Sequence, residues 1–196
     1  MSSALSARYT PEEYLTRERD AERKSEYLNG FITAMAGTSY VHSIIVSNLS
    51  GEIREQLKNG PCDIVTSDLR LLVNATGLYT YPDVTVICGR PIFLDEKFDT
   101  LVNPTVVIEI LSPSTEAYDR GAKFAHYRQV ESLREYVLVS QNRMLVERFT
   151  KQGEDWLLTA SEGLEGVLEL KSVGCKVMLK EIYRKVVFSE PPSTMN

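Results

Sequence analysis

The sequence is poor in cysteine and histidine, the side chains that most often bind zinc. It has three cysteines and two histidines in 196 residues, and Cys62, Cys88 and Cys175 form neither a CxxC pair nor a disulfide framework. A structural zinc site is therefore not expected. We predict three buried, reduced thiols, and any bound metal should be a hard cation on oxygen ligands.

Long hydrophobic runs are also missing. The apolar run from Thr105 to Leu111 is far shorter than the roughly 20 residues that a membrane helix needs. The N-terminal sequence MSSALSARYT lacks a basic segment followed by an apolar one, as a secretory leader would have. We therefore expect no membrane partner and a cytoplasmic location.

Basic residues are in deficit, with 22 lysines and arginines against 27 acidic residues and a net charge of −5. This balance argues against a strong attraction of the whole surface to nucleic acid. The stretch from Lys171 to Val187 departs from it, with five basic residues and one acidic residue. That stretch is either an ordinary solvated face or a local contact for phosphates.

The remaining composition is that of a globular protein, because hydrophobic residues make up 43% and charged residues 25% of the chain. The length corresponds to one domain, which we place at residues 1–188. The segment 189–196 contains Ser, Glu, Pro and Thr without a large apolar residue other than Met195, and we predict a disordered tail there.

The pattern of the chain predicts a mixed α/β domain. Thr10-Pro11-Glu12-Glu13 forms a capping box that begins a short helix ending near Arg17, and Asn29-Gly30 between apolar runs predicts a β-hairpin. Apolar spacings of three and four predict a long helix over Tyr40–Leu57. Further strands are predicted at 62–66, 69–73, 84–88, 105–111, 135–140, 144–149, 156–159 and 167–170, and further helices at 119–130 and 179–187.

Glu109 is the most informative single residue. It interrupts the run Thr105–Leu111, which is otherwise apolar and rich in β-branched residues, as in the centre of a sheet. An unpaired buried carboxylate costs several kcal/mol. Glu109 should therefore be paired in a structural salt bridge, protonated, or bound to a cation.

Asp83 offers a second carboxylate near a predicted strand. It follows Pro82 and precedes the apolar run from Val84 to Ile87, so that it should lie at the mouth of that strand. If this strand adjoins that of Glu109, the two carboxylates can share a divalent ion. An ordinary turn also explains a Pro-Asp pair.

Lys123 lies on the first turns of the helix that follows the Glu109 strand. Asp119 and Lys123 are spaced i, i+4, which is typical of a surface ion pair worth about 0.3–0.5 kcal/mol. Alternatively, Lys123 points toward the carboxylates, where an ammonium group can stabilise a reacting phosphate or hold the attacking water.

Taken together, these motifs resemble the Uma-type restriction endonuclease family of the PD-(D/E)xK nuclease superfamily. The resemblance covers about Thr10 to Ser140 and depends on the order of the motifs. They are Ser25-Glu26-Tyr27-Leu28-Asn29-Gly30, His42 on a helix, Pro82-Asp83-Val84, Val107-Ile108-Glu109-Ile110-Leu111-Ser112-Pro113-Ser114, and Asp119 with Lys123 and Tyr127.

The resemblance implies a restriction-endonuclease-like core, with a mixed central sheet flanked by helices and an N-terminal hairpin. It implies Mg²⁺ or Mn²⁺ bound by Asp83, Glu109 and the main-chain carbonyl of Ile110. Water would then attack a phosphodiester of DNA. A homodimer is expected by analogy with nucleases that cut two strands with two subunits.

The resemblance also indicates the remaining site residues, and this sequence departs from the superfamily pattern at one position. The superfamily lysine normally stands two residues after the second acid, but Leu111 occupies that position. Lys123 is then the catalytic lysine and Glu26 an additional catalytic acid. His42 and Tyr127 either contact the substrate or the metal ligands, or simply pack in the core. The alternative is a catalytically inactive dimeric module that keeps the nuclease fold.

Overall fold

A computed structural model describes residues 8–188 of the protein. The helices are α1 Pro11–Arg19, α2 Tyr40–Leu57, α3 Glu116–Tyr118, a π-helical turn at Asp119–Lys123, α4 Phe124–Tyr127 and α5 Leu179–Ile182. The strands are β1 Ser25–Leu28, β2 Phe31–Ala34, β3 Cys62–Thr66, β4 Arg70–Val73, β5 Leu78–Thr80, β6 Val84–Cys88, β7 Thr100–Leu101, β8 Val106–Leu111, β9 Glu135–Ser140, β10 Leu145–Gln152, β11 Asp155–Glu162, β12 Val167–Leu170 and β13 Cys175–Met178.

The strands form two mixed sheets and a separate pair. The larger sheet has the order β11-β10-β9-β8-β6-β3, and the second sheet has the order β2-β1-β5-β4-β7. Each contains one parallel pair, β8 with β9 and β4 with β7. This arrangement confirms the predicted mixed architecture.

Local signals explain several of these elements. The Thr10 hydroxyl accepts the N–H of Glu13, and the Glu13 carboxylate accepts the N–H of Thr10, so that the capping box begins α1 as predicted. Asn29 and Gly30 both adopt positive φ, at 51° and 90°, which is the turn geometry that joins β1 to β2. Helix α2 has the predicted limits.

Strand β8 lies between two hydrophobic cores. Val106, Ile108 and Ile110 face the core that α2 and α5 cover. Val107 and Leu111 face the second core. Because successive side chains of a strand alternate between its faces, Glu109 lies on the face of the second core, at the end of β8 that is nearer the carboxyl terminus.

Some predicted elements differ from the structure. The segment after β8 is not a regular helix over 119–130, because it begins at Glu116 and passes through a π-helical turn. Strand β12 does not extend the large sheet but pairs with β13, which was not predicted. The short strands β5 and β7 were also missed, because a few residues carry little periodicity.

The cysteine prediction is wrong for two of the three residues. Strands β3 and β6 are antiparallel, and their register places Cys62 opposite Cys88, where the two sulfurs form a disulfide. The sequence separation of 26 residues gave no sign of this proximity. Cys175 is free and buried, as predicted.

Within residues 8–188, no helix combines the length and the apolar character needed to cross a bilayer. The tail predicted at 189–196 lies outside the described residues, as do residues 1–7.

Candidate active site

The antiparallel pairing of β6 with β8 brings the two predicted carboxylates together. Val84 pairs with Ile108, so Asp83, just before β6, lies beside Glu109. The Asp83 N–H donates to Glu109 Oε2 at 3.4 Å, and Asp83 Oδ2 accepts the N–H of Ile110 at 2.8 Å. The two strands therefore adjoin as the metal hypothesis required.

His42, on the first turn of α2, contacts the carboxylate of Asp83. The Ser39 hydroxyl caps this helix by accepting the N–H of His42. His42 Nε2 lies 3.1 Å from Asp83 Oδ2, and both side chains are largely buried. His42 thus helps to fix the orientation of Asp83.

Glu109 is buried, with 3% of its surface exposed. Its Oε1 accepts the Tyr127 hydroxyl at 2.8 Å and lies 3.0 Å from Lys123 Nζ. Burial raises the pKa of Glu109 to about 8, Asp83 and Asp119 add to this rise, and Lys123 and the Tyr127 hydroxyl oppose it. Burial and the two neighbouring carboxylates therefore disfavour the charged form of Glu109 more than Lys123 and Tyr127 favour it.

Lys123 lies among three carboxylates rather than on the surface. Its Nζ is 3.2 Å from Glu26, 3.0 Å from Glu109 and 3.5 Å from Asp119, and the side chain is only 6% exposed. Burial disfavours the ammonium, but these carboxylates outweigh it and raise the pKa of Lys123 well above its ordinary value. The surface ion pair considered from the sequence is wrong.

Glu26 reaches this cluster from the N-terminal hairpin. It lies on β1, and its carboxylate accepts a hydrogen bond from the Thr80 hydroxyl at the end of β5. The neighbouring Tyr118 contributes a phenol, and burial together with Glu26 raises the pKa of Tyr118 to about 12. All four predicted catalytic residues are therefore close together.

Sequence reasoning missed Asp119, Thr80 and Tyr118 as neighbours of the site. Asp119 is 3% exposed and lies at the start of the π-helical turn that also carries Lys123. Such π-helical turns are rare in proteins overall, but those that occur are often at functional sites. For Asp119 the sequence offered the i, i+4 spacing to Lys123 and its place among the motifs of the resemblance, and neither shows whether the pair is buried.

The oxygen donors fit a hard divalent cation. In an extended strand the N–H and C=O of one residue point to the same side, so the Ile110 carbonyl faces the Asp83 side of β8, as its N–H does. Carboxylate and carbonyl oxygens are the ligands that Mg²⁺ prefers, with water completing its shell. Among residues 8–188, no three acidic, histidine or cysteine side chains are grouped as metal ligands, so two carboxylates, the carbonyl and water would form the shell.

The cluster opens into a cleft of about 750 Å³. Three segments form most of its walls: the β1–β2 hairpin, the residues 35–39 before α2, and the turn 112–115 after β8. Asp83, Glu109, Asp119 and Lys123 also line it. The carboxylates are thus accessible to a ligand although they are largely buried.

A family model named Uma2 and described as "Putative restriction endonuclease" matches residues 11–176. The chain belongs to the Uma2 family. Two uncharacterized proteins of Synechocystis sp. are similar to it along most of their length. The protein slr1290 is 40% identical over 95% of this chain and 97% of its own length, and sll1609 is 37% identical over 82% and 91%.

A solved structure shares the fold of this Uma2 protein. It is a crystal structure described as a putative nuclease belonging to DUF820 from Anabaena variabilis, with a TM-score of 0.73 and 20% identity over 88% of this chain and 96% of that chain. The likeness supports the restriction-endonuclease-like architecture predicted from the sequence.

The lysine at the site of this Uma2 chain does not come from β8. Leu111, where the superfamily pattern has a lysine, is 3% exposed and packs in the second core. The ammonium group instead enters from the next helical segment and contacts Glu109. The charge therefore reaches the carboxylates from a different element of the chain.

Proposed function

We propose that the protein is a Mg²⁺-dependent nuclease that hydrolyses phosphodiester bonds of DNA, with Mn²⁺ as an alternative ion. The convergence of Glu26, Asp83, Glu109 and Lys123 on one open cleft supports this most directly. Membership of a family described as "Putative restriction endonuclease" supports the same reaction class.

Asp83, Glu109 and the Ile110 carbonyl would hold the ion. A bound Mg²⁺ supplies a water of lowered pKa and polarises the phosphate. A bound cation would favour the charged form of Glu109, which burial and the carboxylates of Asp83 and Asp119 disfavour. His42 keeps Asp83 oriented, and the Tyr127 hydroxyl does the same for Glu109.

Lys123 would neutralise charge that develops on the phosphate. Its ammonium is held at the inner end of the cleft by Glu26 and Glu109, where water is largely excluded and a fixed charge acts strongly. Glu26 anchors the lysine and presents a carboxylate that can orient the attacking water. The chain thus places one cation and several acceptors around the space where a phosphate would lie.

Titration calorimetry with Mg²⁺ and Mn²⁺ tests this proposal together with nicking of supercoiled plasmid DNA. Wild-type protein should bind the ions and nick the plasmid, and the Asp83→Ala/Glu109→Ala double variant should do neither. The exposed pair Lys58 and Glu55 offers a control double variant that should behave as wild type. Wild-type protein that neither binds ions nor nicks DNA would contradict the proposal.

A second candidate function is a non-catalytic module that keeps the fold. The observation that favours it is that Lys123 forms buried ion pairs with Glu26, Glu109 and Asp119, as a purely structural cluster would. The open cleft beside these residues favours the nuclease, because a purely structural ion cluster needs no access to ligands. The same calorimetry distinguishes the two functions.

Two further predictions concern the oligomeric state and the cellular location of the protein. We propose a homodimer, because cyclic dimers are the commonest oligomers. Sedimentation analysis of the purified chain tests this state. The cytoplasmic location stays a prediction from the sequence.

A further inference from the structure

One face of the β1–β2 hairpin forms a wall of the cleft. The register pairs Glu26 with Thr33 and Leu28 with Phe31. Directly paired residues point to the same face, and alternate residues of a strand share a face. These four side chains therefore face the cleft, which they line, while Tyr27 packs on the other face with Ile32.

This wall changes from acidic to apolar with distance from the catalytic cluster. Leu28 lies two residues beyond Glu26, a separation of about 7 Å along a strand. Phe31, which pairs with Leu28, extends the apolar surface, and it remains 45% exposed although it is a large aromatic residue. An apolar surface at this distance from the carboxylates suits the base of a nucleotide whose phosphate lies beside them.

The charges of the cleft do not suit a duplex. Among its described lining residues, Lys123 and His42 are the only basic side chains, and each already contacts a carboxylate. Duplex binding depends on many Lys and Arg contacts to phosphates, whereas single strands gain affinity from bases that stack on aromatic side chains. The exposed guanidinium of Arg8, 5.5 Å from the Phe31 ring centroid, adds a cation beside this wall.

The turn 112–115 lines the cleft with neutral polar groups. Ser112 Oγ lies 3.0 Å from both Ser114 Oγ and Thr115 Oγ1. These hydroxyl groups bond one another, and the turn contains no charged residue. Such groups can accept or donate hydrogen bonds to a sugar or a base edge but cannot neutralise a duplex backbone.

We propose that the cleft takes single-stranded nucleic acid, with one unstacked base held against Leu28 and Phe31. This inference rests on the proposed nuclease function and names its substrate class. Double-stranded regions would be cut only where a base is already unpaired.

Equilibrium binding tests the inference without hydrolysis of the substrate. A short fluorescein-labelled DNA strand and the same strand in a duplex are titrated with the full chain in Ca²⁺, which takes oxygen ligands as Mg²⁺ does, and anisotropy is measured. The single strand should bind at least about fivefold more tightly, and Phe31→Ala should remove about fivefold or more of that affinity. Phe31→Trp should retain it. Equal or tighter binding of the duplex would overturn the inference.

The matched control is Phe98→Ala, which removes an equally aromatic and 66% exposed side chain from outside the cleft. It should leave the affinity for the single strand within twofold of the wild type. If Phe98→Ala and Phe31→Ala weaken binding equally, the wall is not a base site.

An activity assay separates failure of this inference from failure of the proposed function. The kcat/KM for thymidine 5′-p-nitrophenyl phosphate is compared with that for methyl p-nitrophenyl phosphate, which has no base, in Mg²⁺. The ratio should fall about fivefold or more in Phe31→Ala. Wild-type protein that hydrolyses neither ester and does not nick plasmid DNA would refute the nuclease function, and the binding assay would still decide the substrate class.

Discussion

Lys123 Nζ lies 3.0 Å from Glu109 Oε1, and both side chains are almost completely buried. Glu109 comes from the central strand of the larger sheet, and Lys123 comes from the π-helical turn that follows it. This ion pair joins two elements of the candidate site and sets the charge balance of the cleft.

Removal of the lysine should destabilise the metal-free protein. Lys123→Met leaves Glu26, Glu109 and Asp119 without their cation, and breaking a buried ion pair typically costs about 3–5 kcal/mol. Denaturant unfolding in a chelating buffer at neutral pH measures the loss. Lys58→Met, which removes an exposed partner of Glu55, should cost less than about 1 kcal/mol; equal losses in the two variants would contradict the buried cluster.

The histidine that contacts Asp83 should affect metal affinity. His42→Ala removes the contact at 3.1 Å that orients this proposed ligand, and loss of such a supporting residue typically weakens metal binding by about 10–100-fold. Calorimetry with Mg²⁺ measures the change. His126→Ala removes the other histidine, which does not line the cleft, and should leave the affinity unaltered. Equal effects of the two substitutions would argue against the role of His42.

The disulfide should stabilise the fold and leave one thiol. Unreduced, denatured protein should react with a thiol reagent at Cys175 alone, because Cys62 and Cys88 are bonded. Cys62→Ser/Cys88→Ser should lower the free energy of unfolding by about 3 kcal/mol for a loop of this length. Reductant should lower the free energy of unfolding of Cys175→Ser as it does that of the wild type, because this variant keeps the disulfide. Three reactive thiols without reduction would contradict the pairing.

Stability should fall in acid through Asp99. Arg19 donates to Asp99 at 2.7 Å and holds the pKa of that carboxyl well below its usual range, with help from the Thr100 hydroxyl and the buried Arg70. Because the folded pKa is the lower one, the stabilisation is complete above about pH 4, near the unfolded pKa, and is lost as the pH falls through the folded pKa.

The variant Asp99→Asn isolates this effect. At pH 6 it should be less stable than the wild type by about 1–2 kcal/mol, since Asp99 is a third exposed and solvent weakens the ion pair. The difference should shrink as the pH falls below 4. Thermal unfolding of both proteins between pH 6 and pH 2.5 measures it, and a difference that does not vary with pH would contradict the assignment.

Local signals predicted most of the elements and part of the site. The capping box, the Asn-Gly turn and the spacing of α2 depend on neighbouring residues, and all three were confirmed. A carboxylate within an apolar run is also visible in the sequence itself, because burying it unpaired costs free energy in any fold. Glu109 was therefore found from the sequence.

Other features depend on residues that are distant in the chain. The Cys62–Cys88 bond follows from the register of β3 and β6. The burial of Asp119 and Lys123 follows from the π-helical turn and from its packing over Glu109. Neither register nor burial can be read from an i, i+4 spacing.

By itself, the sequence determined the α/β class, the hairpin, the long helix and the presence of a costly carboxylate in the central strand, because each is encoded by short-range patterns of polarity and backbone preference. Only the tertiary structure decided that Lys123 would lie between the carboxylates and that the hairpin would present Phe31 to the cleft. Both depend on which faces of separate elements meet, and the hydrophobic packing of the whole chain fixes that choice.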